Sequence, residues 1–355
     1  MNKLYALVAV LALVISFLCF QEVYSAEMPD SVKPASDRSH ARGGDAGLHP
    51  DVFAEFGFPS PPGYPADLAP AFANVAYSSL SAAQTLDVFL PQGEGPFPLV
   101  VNIHGGAFKF GSKVMLDAPL ARRLLAEGIA IASINYRLSG EAVFPAAVED
   151  AKCAVRFLRA KAARYRLDPE RIVVFGQSAG GNIASLVGVT GGTPVFENDA
   201  LGCKGVSSRV RGVIDWFGPA DFAGMDDQAR EQGCPAAAQT HGQGDSPESL
   251  YLGAPLALVP DKVRMANPVT YISSRTPPFL LEKGTRDCVV PVGQTTQLYE
   301  ALKAAGVPVE LVMIKDAGHG DTGSDPRFLA PENIDKVLEF VKKVTAKQGA
   351  GDPTQ

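Results

Sequence analysis

The chain has 355 residues, of which 46% are hydrophobic and 20% charged, and its formal net charge is −6 at pH 7. This balance is typical of a globular protein with one large domain or two smaller ones, and it excludes a largely disordered chain. The charge is only mildly negative and no basic run occurs, which argues against a nucleic-acid partner.

The first 25 residues have the pattern of a signal peptide. Lys3 supplies a positive start, residues 4–20 form a nearly unbroken apolar run, and Ser25 or Ala26 offers a small residue for cleavage. The run is slightly short for a membrane span. We therefore expect an exported protein, periplasmic or secreted, with no stable membrane association after cleavage; an uncleaved membrane anchor is the alternative.

The cysteines that follow this segment permit disulfides, since their number is even and the compartment is oxidising. Cys203 and Cys234 both lie in irregular polar sequence and are the preferred pair. Cys153 falls in a helical pattern and could equally be a buried free thiol, whereas Cys288 adjoins a candidate catalytic residue. The sequence contains no Cys-x-x-Cys motif or His/Cys cluster, so no metal site is expected.

The rest of the chain divides into an irregular N-terminal arm at 26–71, a domain at 72–347 and a flexible tail at 348–355. Within the domain we predict strands at Thr85–Leu90, Phe97–Ile103, Ile129–Ile134, Ile172–Phe175, Val210–Phe217, Pro278–Glu282 and Val309–Ile314. Helices are predicted at Ala118–Glu127, Ala146–Tyr165, Asn182–Val189, Pro291–Ala305 and Glu332–Lys347. This alternation indicates an α/β fold, with a mostly parallel central sheet, helices on both faces and an antiparallel edge.

Two further features refine this fold. Residues from about 221 to 267 interrupt the alternation and are rich in Gly and Pro. An insertion at this point can lie over the carboxyl ends of the strands, so we interpret it as a partial cap over the site. Arg137 and Asp150 are expected to form an ion pair with a structural rather than a catalytic role.

A Gly-x-Ser-x-Gly sequence, Gly176 to Gly180, lies between a predicted buried strand and a predicted helix. That context is typical of a nucleophile elbow. A serine hydroxyl becomes a useful nucleophile when it is held clear of the sheet, at a helix N-terminus and beside a base. Gly176 and Gly180 leave room for so tight a turn, and Ser178 is therefore the candidate nucleophile.

A serine nucleophile needs a base and a carboxylate that orients the base. Of the five histidines, only His319 lies both after a predicted strand and downstream of the elbow. Asp287 follows the intervening strand and is the candidate carboxylate. Glu282 is less suitable because it is still inside that strand, and Asp316 is too close in sequence to His319 to reach its ring easily.

Backbone amides could stabilise the oxyanion of such a reaction. Gly105 and Gly106 follow an early strand and leave their amides unshielded. Ala179, directly after the candidate nucleophile at a helix N-terminus, could supply a further amide. Phe108, Tyr136 and Trp216 could line a pocket that favours aromatic groups, although a strand-end tryptophan such as Trp216 is more often a core residue than part of a substrate site.

Five motifs stand in the order found in one known family: His104–Phe108, Asn135–Leu138, Gly176–Gly181, Arg286–Pro291 and Gly318–Gly320. In these motifs the chain resembles the α/β-hydrolase carboxylesterases of the hormone-sensitive-lipase and feruloyl-esterase-like (BD-FAE-like) group, from Tyr77 to Lys347. The resemblance implies a serine esterase that needs no cofactor. It assigns Ser178 as nucleophile, Asp287 as acid and His319 as base, with oxyanion amides from Gly105, Gly106 and Ala179.

Two departures from the family pattern bear on the substrate. Ala107 stands where glycine is more usual, and Gln177 stands where the hormone-sensitive-lipase branch favours an acid. The second departure favours the feruloyl- or acetyl-esterase-like branch, and hence short-chain acyl esters or acetyl and feruloyl esters of polysaccharide. A serine peptidase and a non-catalytic binding protein of the same fold are the alternatives.

Overall fold

A computed structural model describes residues 63–320 and 325–347. The predicted signal peptide, the predicted arm up to residue 62 and the predicted tail lie outside the described residues. In the part of the chain that is described, no helix is both long enough and apolar enough to cross a membrane.

The sheet of the described domain has eight strands in the order β1-β2-β4-β3-β5-β6-β7-β8. These strands are β1 (Phe72–Ala76), β2 (Thr85–Phe89), β3 (Phe97–Ile103), β4 (Ala130–Ile134), β5 (Leu167–Gln177), β6 (Gly212–Trp216), β7 (Phe279–Gly284) and β8 (Val309–Ile314). The pairs β1–β2 and β2–β4 are antiparallel, and all other neighbours are parallel. The predicted mostly parallel sheet with an antiparallel edge is confirmed.

Helices cover both faces of this sheet, as the alternating sequence predicts. The α-helices of the described residues are α1 (Ala118–Ala126), α2 (Ala146–Ala160), α3 (Ala179–Val189), α4 (Met225–Glu231), α5 (Pro247–Leu252), α6 (Pro260–Ala266), α7 (Val292–Ala304) and α8 (Pro331–Thr345), of which α4 to α6 belong to an insertion between β6 and β7. Val101 and Val174 belong to one apolar cluster, with residues of α2 and α3, while Val100 and Val173 belong to another, with residues of α1 and α8. Successive residues of a strand point to opposite faces, so a strand buried on both sides is apolar throughout.

The second helix ends earlier than predicted. After Ala160 the chain passes into a short 3₁₀ helix, Ala162–Tyr165, and then through Arg166 in a left-handed conformation with φ 56°. This turn reverses the chain into β5, and the carbonyl of Arg166 accepts a hydrogen bond from the amide of Phe97 (2.9 Å). The predicted ion pair is present, with Arg137 Nη2 2.8 Å from Asp150 Oδ1.

The insertion between β6 and β7 contains α4, α5 and α6, joined by short 3₁₀ turns. Cys234, the cysteine of the insertion, does not have the predicted partner. It forms a disulfide with Cys288, and Cys203 is a free cysteine. Arg156 holds the loop of Cys203 against α2, because its Nη2 donates to the carbonyls of Asn198 (2.9 Å) and Gly202 (3.3 Å). The Cys203–Cys234 prediction is therefore wrong, and the actual disulfide ties the insertion to the loop after β7.

Candidate active site

Ser178 lies in a sharp turn between β5 and α3. Its backbone angles are φ 54° and ψ −122°, which a non-glycine residue adopts only under strain. Its amide donates to the carbonyl of Trp216 on the neighbouring strand at 2.9 Å. The strand, turn and helix together have the geometry of a nucleophile elbow.

Close backbone approaches explain the two glycines of this turn. A Cβ on Gly176 would lie 2.0 Å from the carbonyl oxygen of Gly180, and a Cβ on Gly180 would lie 2.1 Å from that of Ile103. Both distances are far below van der Waals contact. The turn can form only because neither position carries a side chain.

Three side chains from distant parts of the sequence meet in a hydrogen-bonded chain. The Nε2 of His319 lies 2.9 Å from Ser178 Oγ, and its Nδ1 lies 2.8 Å from Asp287 Oδ2. Asp287 follows β7 and His319 follows β8, so both lie at the carboxyl ends of two adjacent parallel strands on the same side of β5 as β6. The structure thus brings together the nucleophile, acid and base expected from the sequence, in the geometry that acyl transfer requires.

Four donors hold the carboxylate of Asp287, which is fully buried. The amides of Val289 (2.9 Å) and Val290 (3.0 Å) donate to Oδ1, while the Lys283 ammonium (2.6 Å) and His319 (2.8 Å) bind Oδ2. Burial alone would raise the pKa of Asp287, but the charges of His319 and Lys283 hold that pKa well below its usual range. Asp287 is therefore ionised at every pH at which the protein is expected to work.

The loop after β3 lies against the nucleophile. A Cβ on Gly105 would lie 3.0 Å from the carbonyl oxygen of Gln177 and 3.4 Å from Ser178 Cβ, while Gly106 has a φ of +113°. Ala179 begins α3, so its amide has no carbonyl one turn earlier in the helix to bind. Gly105 therefore lies against the turn that carries Ser178, and Ala179 adjoins Ser178 in the chain.

Tyr136 supports that loop and does not line the cavity at Ser178, contrary to the prediction. Its hydroxyl donates to the carbonyl of His104 (2.9 Å), and its ring stacks on the His104 imidazole with centroids 4.3 Å apart. Burial lowers the pKa of His104 to about 4, so its ring is neutral and Nδ1 can donate to the Gly105 carbonyl (2.7 Å). Tyr136 and His104 together hold the loop after β3 in place, which explains why an aromatic residue follows Asn135.

Trp216 does not line the cavity either, and it occupies the core position that the sequence analysis favoured over the pocket. It is only 1% exposed and packs with Phe175 and Phe328 on the face of the sheet covered by α1 and α8. Strand alternation places Asp215, rather than Trp216, on the face that carries α3. The indole is a core side chain.

A cavity of about 470 Å³ opens beside Ser178, and Phe108 is the predicted aromatic residue that does line it. The Phe108 ring stacks on Tyr251 of α5 with centroids 3.9 Å apart. The insertion forms much of the wall, through Pro235, Ala237, Ala238, Thr240, His241, Pro247 and Glu248. The volume lies within the range of about 300–1,000 Å³ typical of small-molecule sites.

Links beside Asp287 hold the insertion in place. Gln232 donates from Nε2 to the carbonyl of Asp287 (2.7 Å) and accepts from the amide of Val292 (2.8 Å). His241 Nε2 lies 3.0 Å from the carbonyl oxygen of Val289, and the disulfide joins Cys234 to residue 288. The insertion and the loop of the acid therefore form one connected unit.

Lys283 and Glu248 belong to the site but escape sequence reasoning. Lys283 follows the apolar run at residues 279–281 within a fully buried strand, and a charged residue at such a position is a signal that it has a buried partner. Glu248 lies in an irregular insertion and gives no such signal. Among residues 63–320 and 325–347 no group of three or more His, Cys, Asp or Glu side chains could hold a metal ion.

Comparison with known proteins identifies relatives of this domain. The BD-FAE family model matches residues 86–302. The esterase LipC of Mycobacterium tuberculosis is 30% identical over 241 residues, which make up 67% of this chain and 57% of that protein. The chain thus spans little more than half the length of this relative.

Solved structures show the same architecture. A truncated carbohydrate esterase from gut microbiota is 29% identical, with a TM-score of 0.71 over 81% of this chain and 100% of that chain. An acetyl ester-xyloside bifunctional hydrolase from Caldicellulosiruptor lactoaceticus is 26% identical, with a TM-score of 0.59 over 73% of this chain and 87% of that chain. These similarities confirm the predicted α/β-hydrolase fold.

Proposed function

The chain belongs to the BD-FAE family, and from that premise we propose that it is a serine carboxylesterase. The observation that carries the proposal is the hydrogen-bonded chain Ser178–His319–Asp287, whose serine lines a cavity. The named activities of LipC and of the structural relatives support the same class of reaction.

In the proposed mechanism, His319 takes the proton of Ser178 while Oγ attacks the ester carbonyl. The amides of Gly105, Gly106 and Ala179 stabilise the oxyanion. The alcohol leaves with the proton from His319, and the acyl group remains on Ser178. Water, activated by the same imidazole, then releases the acid, while ionised Asp287 holds the imidazole in its productive orientation.

We propose short-chain acyl esters as substrates, in particular acetyl or feruloyl esters of polysaccharide. The moderate volume of the cavity favours a small acyl group, and two structural relatives are named for carbohydrate substrates. A peptidase finds no comparable support among these relatives.

A panel of chromogenic esters from acetyl to decanoyl, with methyl ferulate and acetylated xylan, tests this proposal. We expect hydrolysis of the short esters and none by Ser178→Ala, whose circular dichroism should match the wild type. A preference for xylan or ferulate would identify a polysaccharide-tailoring esterase, and a smooth decline with chain length a general short-chain one. Undiminished turnover by Ser178→Ala, or no turnover by the wild type, would overturn the assignment.

We propose export as well, from the pattern of the first 25 residues. A disulfide between Cys234 and Cys288 supports an oxidising compartment. Intact-mass analysis of the expressed protein should show loss of the segment up to Ser25 or Ala26. A full-length mass in the membrane fraction would indicate an uncleaved anchor instead.

A further inference from the structure

The proposed mechanism leaves one acidic side chain in the cavity wall without a role. Glu248, in the first turn of α5, is 6% exposed and lines the same cavity as Ser178. Its Oε2 has no hydrogen-bond partner in the described part of the chain. A buried polar atom without a partner costs about 1–3 kcal/mol, so its retention calls for an explanation.

The neighbouring polar groups are already engaged with other partners. His241 has its Nδ1 2.8 Å from Asp226 Oδ1 and its Nε2 3.0 Å from the carbonyl oxygen of Val289. Both partner atoms are acceptors, so a ring N–H of His241 is directed to one of them and not to Glu248. The hydroxyl of Ser246 donates to the carbonyl of His241 at 2.7 Å, and its proton is engaged too.

The surroundings of Glu248 also affect the protonation of its carboxyl group. Burial raises the pKa of this carboxyl, and the charge of His241 opposes the shift without cancelling it. A carboxyl that keeps its proton to higher pH can both donate and accept a hydrogen bond. A protonated carboxyl is therefore a suitable partner for a hydroxyl group, which also donates and accepts hydrogen bonds.

The wall around Glu248 is otherwise largely apolar, with Pro235, Ala237, Ala238, Pro247 and Val290 among its residues. Small-molecule sites commonly combine such a surface with a few polar groups that fix the orientation of the ligand. The apolar faces of a sugar ring could pack on this wall. An ester of a plain hydrocarbon alcohol would leave Glu248 unpaired, whereas a hydroxylated alcohol would pair with it.

We propose that Glu248 selects esters whose alcohol portion carries a free hydroxyl, as a partly acetylated sugar does, by hydrogen bonding to that hydroxyl in the Ser178 cavity. The inference rests on the proposed esterase function and names the substrate class of the same site. Rejection of a substrate that lacks the hydroxyl follows from the cost of an unpaired buried group.

The test compares two acetate esters of similar ring size, monoacetylated methyl xyloside and cyclohexyl acetate, the second without hydroxyls. The measured quantity is the ratio of their kcat/KM values. We expect Glu248→Met to lower this ratio by about 10- to 100-fold, and Glu248→Gln, which keeps a donor and an acceptor, to lower it by less than about 5-fold. Glu231→Met, an exposed substitution in the same insertion, should leave both rates and the ratio unchanged.

Three outcomes would overturn the inference while the esterase function stands. The Glu248→Met substitution could change both rates equally, the wild type could prefer cyclohexyl acetate, or the loss could be confined to methyl ferulate, which would place the hydroxyl on the acyl group. If the wild type instead hydrolyses neither acetate nor any chromogenic ester, the proposed function itself fails. Failure of the proposed esterase function is thus distinguished from failure of the Glu248 inference, because only the first abolishes hydrolysis by the wild type.

Discussion

The ammonium of Lys283 donates to the same oxygen of Asp287, Oδ2, that binds the His319 imidazole. Both the lysine and the aspartate are fully buried, and the Lys283 Nζ lies 2.6 Å from that oxygen. The ammonium also donates to the carbonyl of Val290 in the turn after Asp287. Lys283 therefore fixes the position of the acid through its carboxylate and through its loop.

Replacing Lys283 by methionine should impair both stability and turnover. Removal of one partner from a buried ion pair typically costs about 3–5 kcal/mol, because the other charge remains buried without compensation. A displaced acid should also lower kcat, on the order of 100-fold, since small errors in catalytic geometry are costly. Urea unfolding and ester kinetics would measure the two effects, with exposed Lys303→Met as control. Wild-type values for both quantities in Lys283→Met would contradict this role.

Gly180→Ala should destabilise the protein, although alanine usually stabilises a helix relative to glycine by about 0.5–1 kcal/mol. The added methyl group would lie 2.1 Å from the carbonyl oxygen of Ile103, so α3 has to move away from β3. We expect a loss of about 1–3 kcal/mol and at least a 10-fold loss of activity, because Ser178 moves with the helix. Gly140→Ala is the matched control, since nothing lies within 4 Å of its added methyl group. An increase in stability for Gly180→Ala would refute the steric argument.

Loss of the disulfide should cost considerable stability. The bond joins residues 54 apart in sequence, and closing a loop of that size is worth about 4 kcal/mol in the chain-entropy description. We expect the double substitution Cys234→Ser/Cys288→Ser to lower Tm by roughly 10 °C. Calorimetry with and without reductant would measure the effect, and free Cys203→Ser should change Tm little. If reductant leaves the wild-type Tm unaffected, the bond contributes nothing to stability.

Glu282 should make stability depend on pH. Burial raises the pKa of Glu282 to about 8, and the indole of Trp216 opposes the shift only in part. The unfolded chain loses this proton near its ordinary value of 4.5 while the folded chain keeps it, so stability falls as pH rises from about 4.5 to 8. One such proton gives a slope of at most about 1.4 kcal/mol per pH unit.

Glu282→Gln should flatten that slope, because the amide does not ionise. The free energy of unfolding in urea at pH 5, 6, 7 and 8 would measure it, and exposed Glu141→Gln should keep the wild-type slope. The explanation fails if Glu282→Gln and the wild type show the same dependence on pH.

Much of the fold and of the site follows from local sequence. β3 has the predicted bounds, since a short apolar run between turn residues specifies a buried strand without reference to the rest of the chain. β8 also has the predicted bounds, although it is an edge strand of which only Ile314 is buried. Ser178 can also be identified from local sequence, because the elbow needs glycines at fixed offsets from the serine. The order of residues along the chain then limits which histidine and which carboxylate can be the candidate base and acid.

What the sequence leaves undetermined depends on which distant segments meet. Trp216 lies on a strand buried on both faces, so apolar character does not reveal which face it occupies. The partner of Cys234 depends on how the insertion folds back over β7, and irregular sequence carries no periodic signal of that path. Glu248 escapes detection for the same reason.

The links that hold the insertion beside Asp287 bear on how a substrate of the proposed esterase would reach Ser178. Because the disulfide, Gln232 and His241 all connect it to residues 287–292, the insertion cannot swing outward as a hinged lid without dragging the acid away from His319. For the proposed esterase, we therefore expect substrates to enter without an outward movement of the insertion. Engineering the proposed esterase for bulkier alcohols would then have to alter the side chains that line the cavity, since freeing the insertion would also displace Asp287.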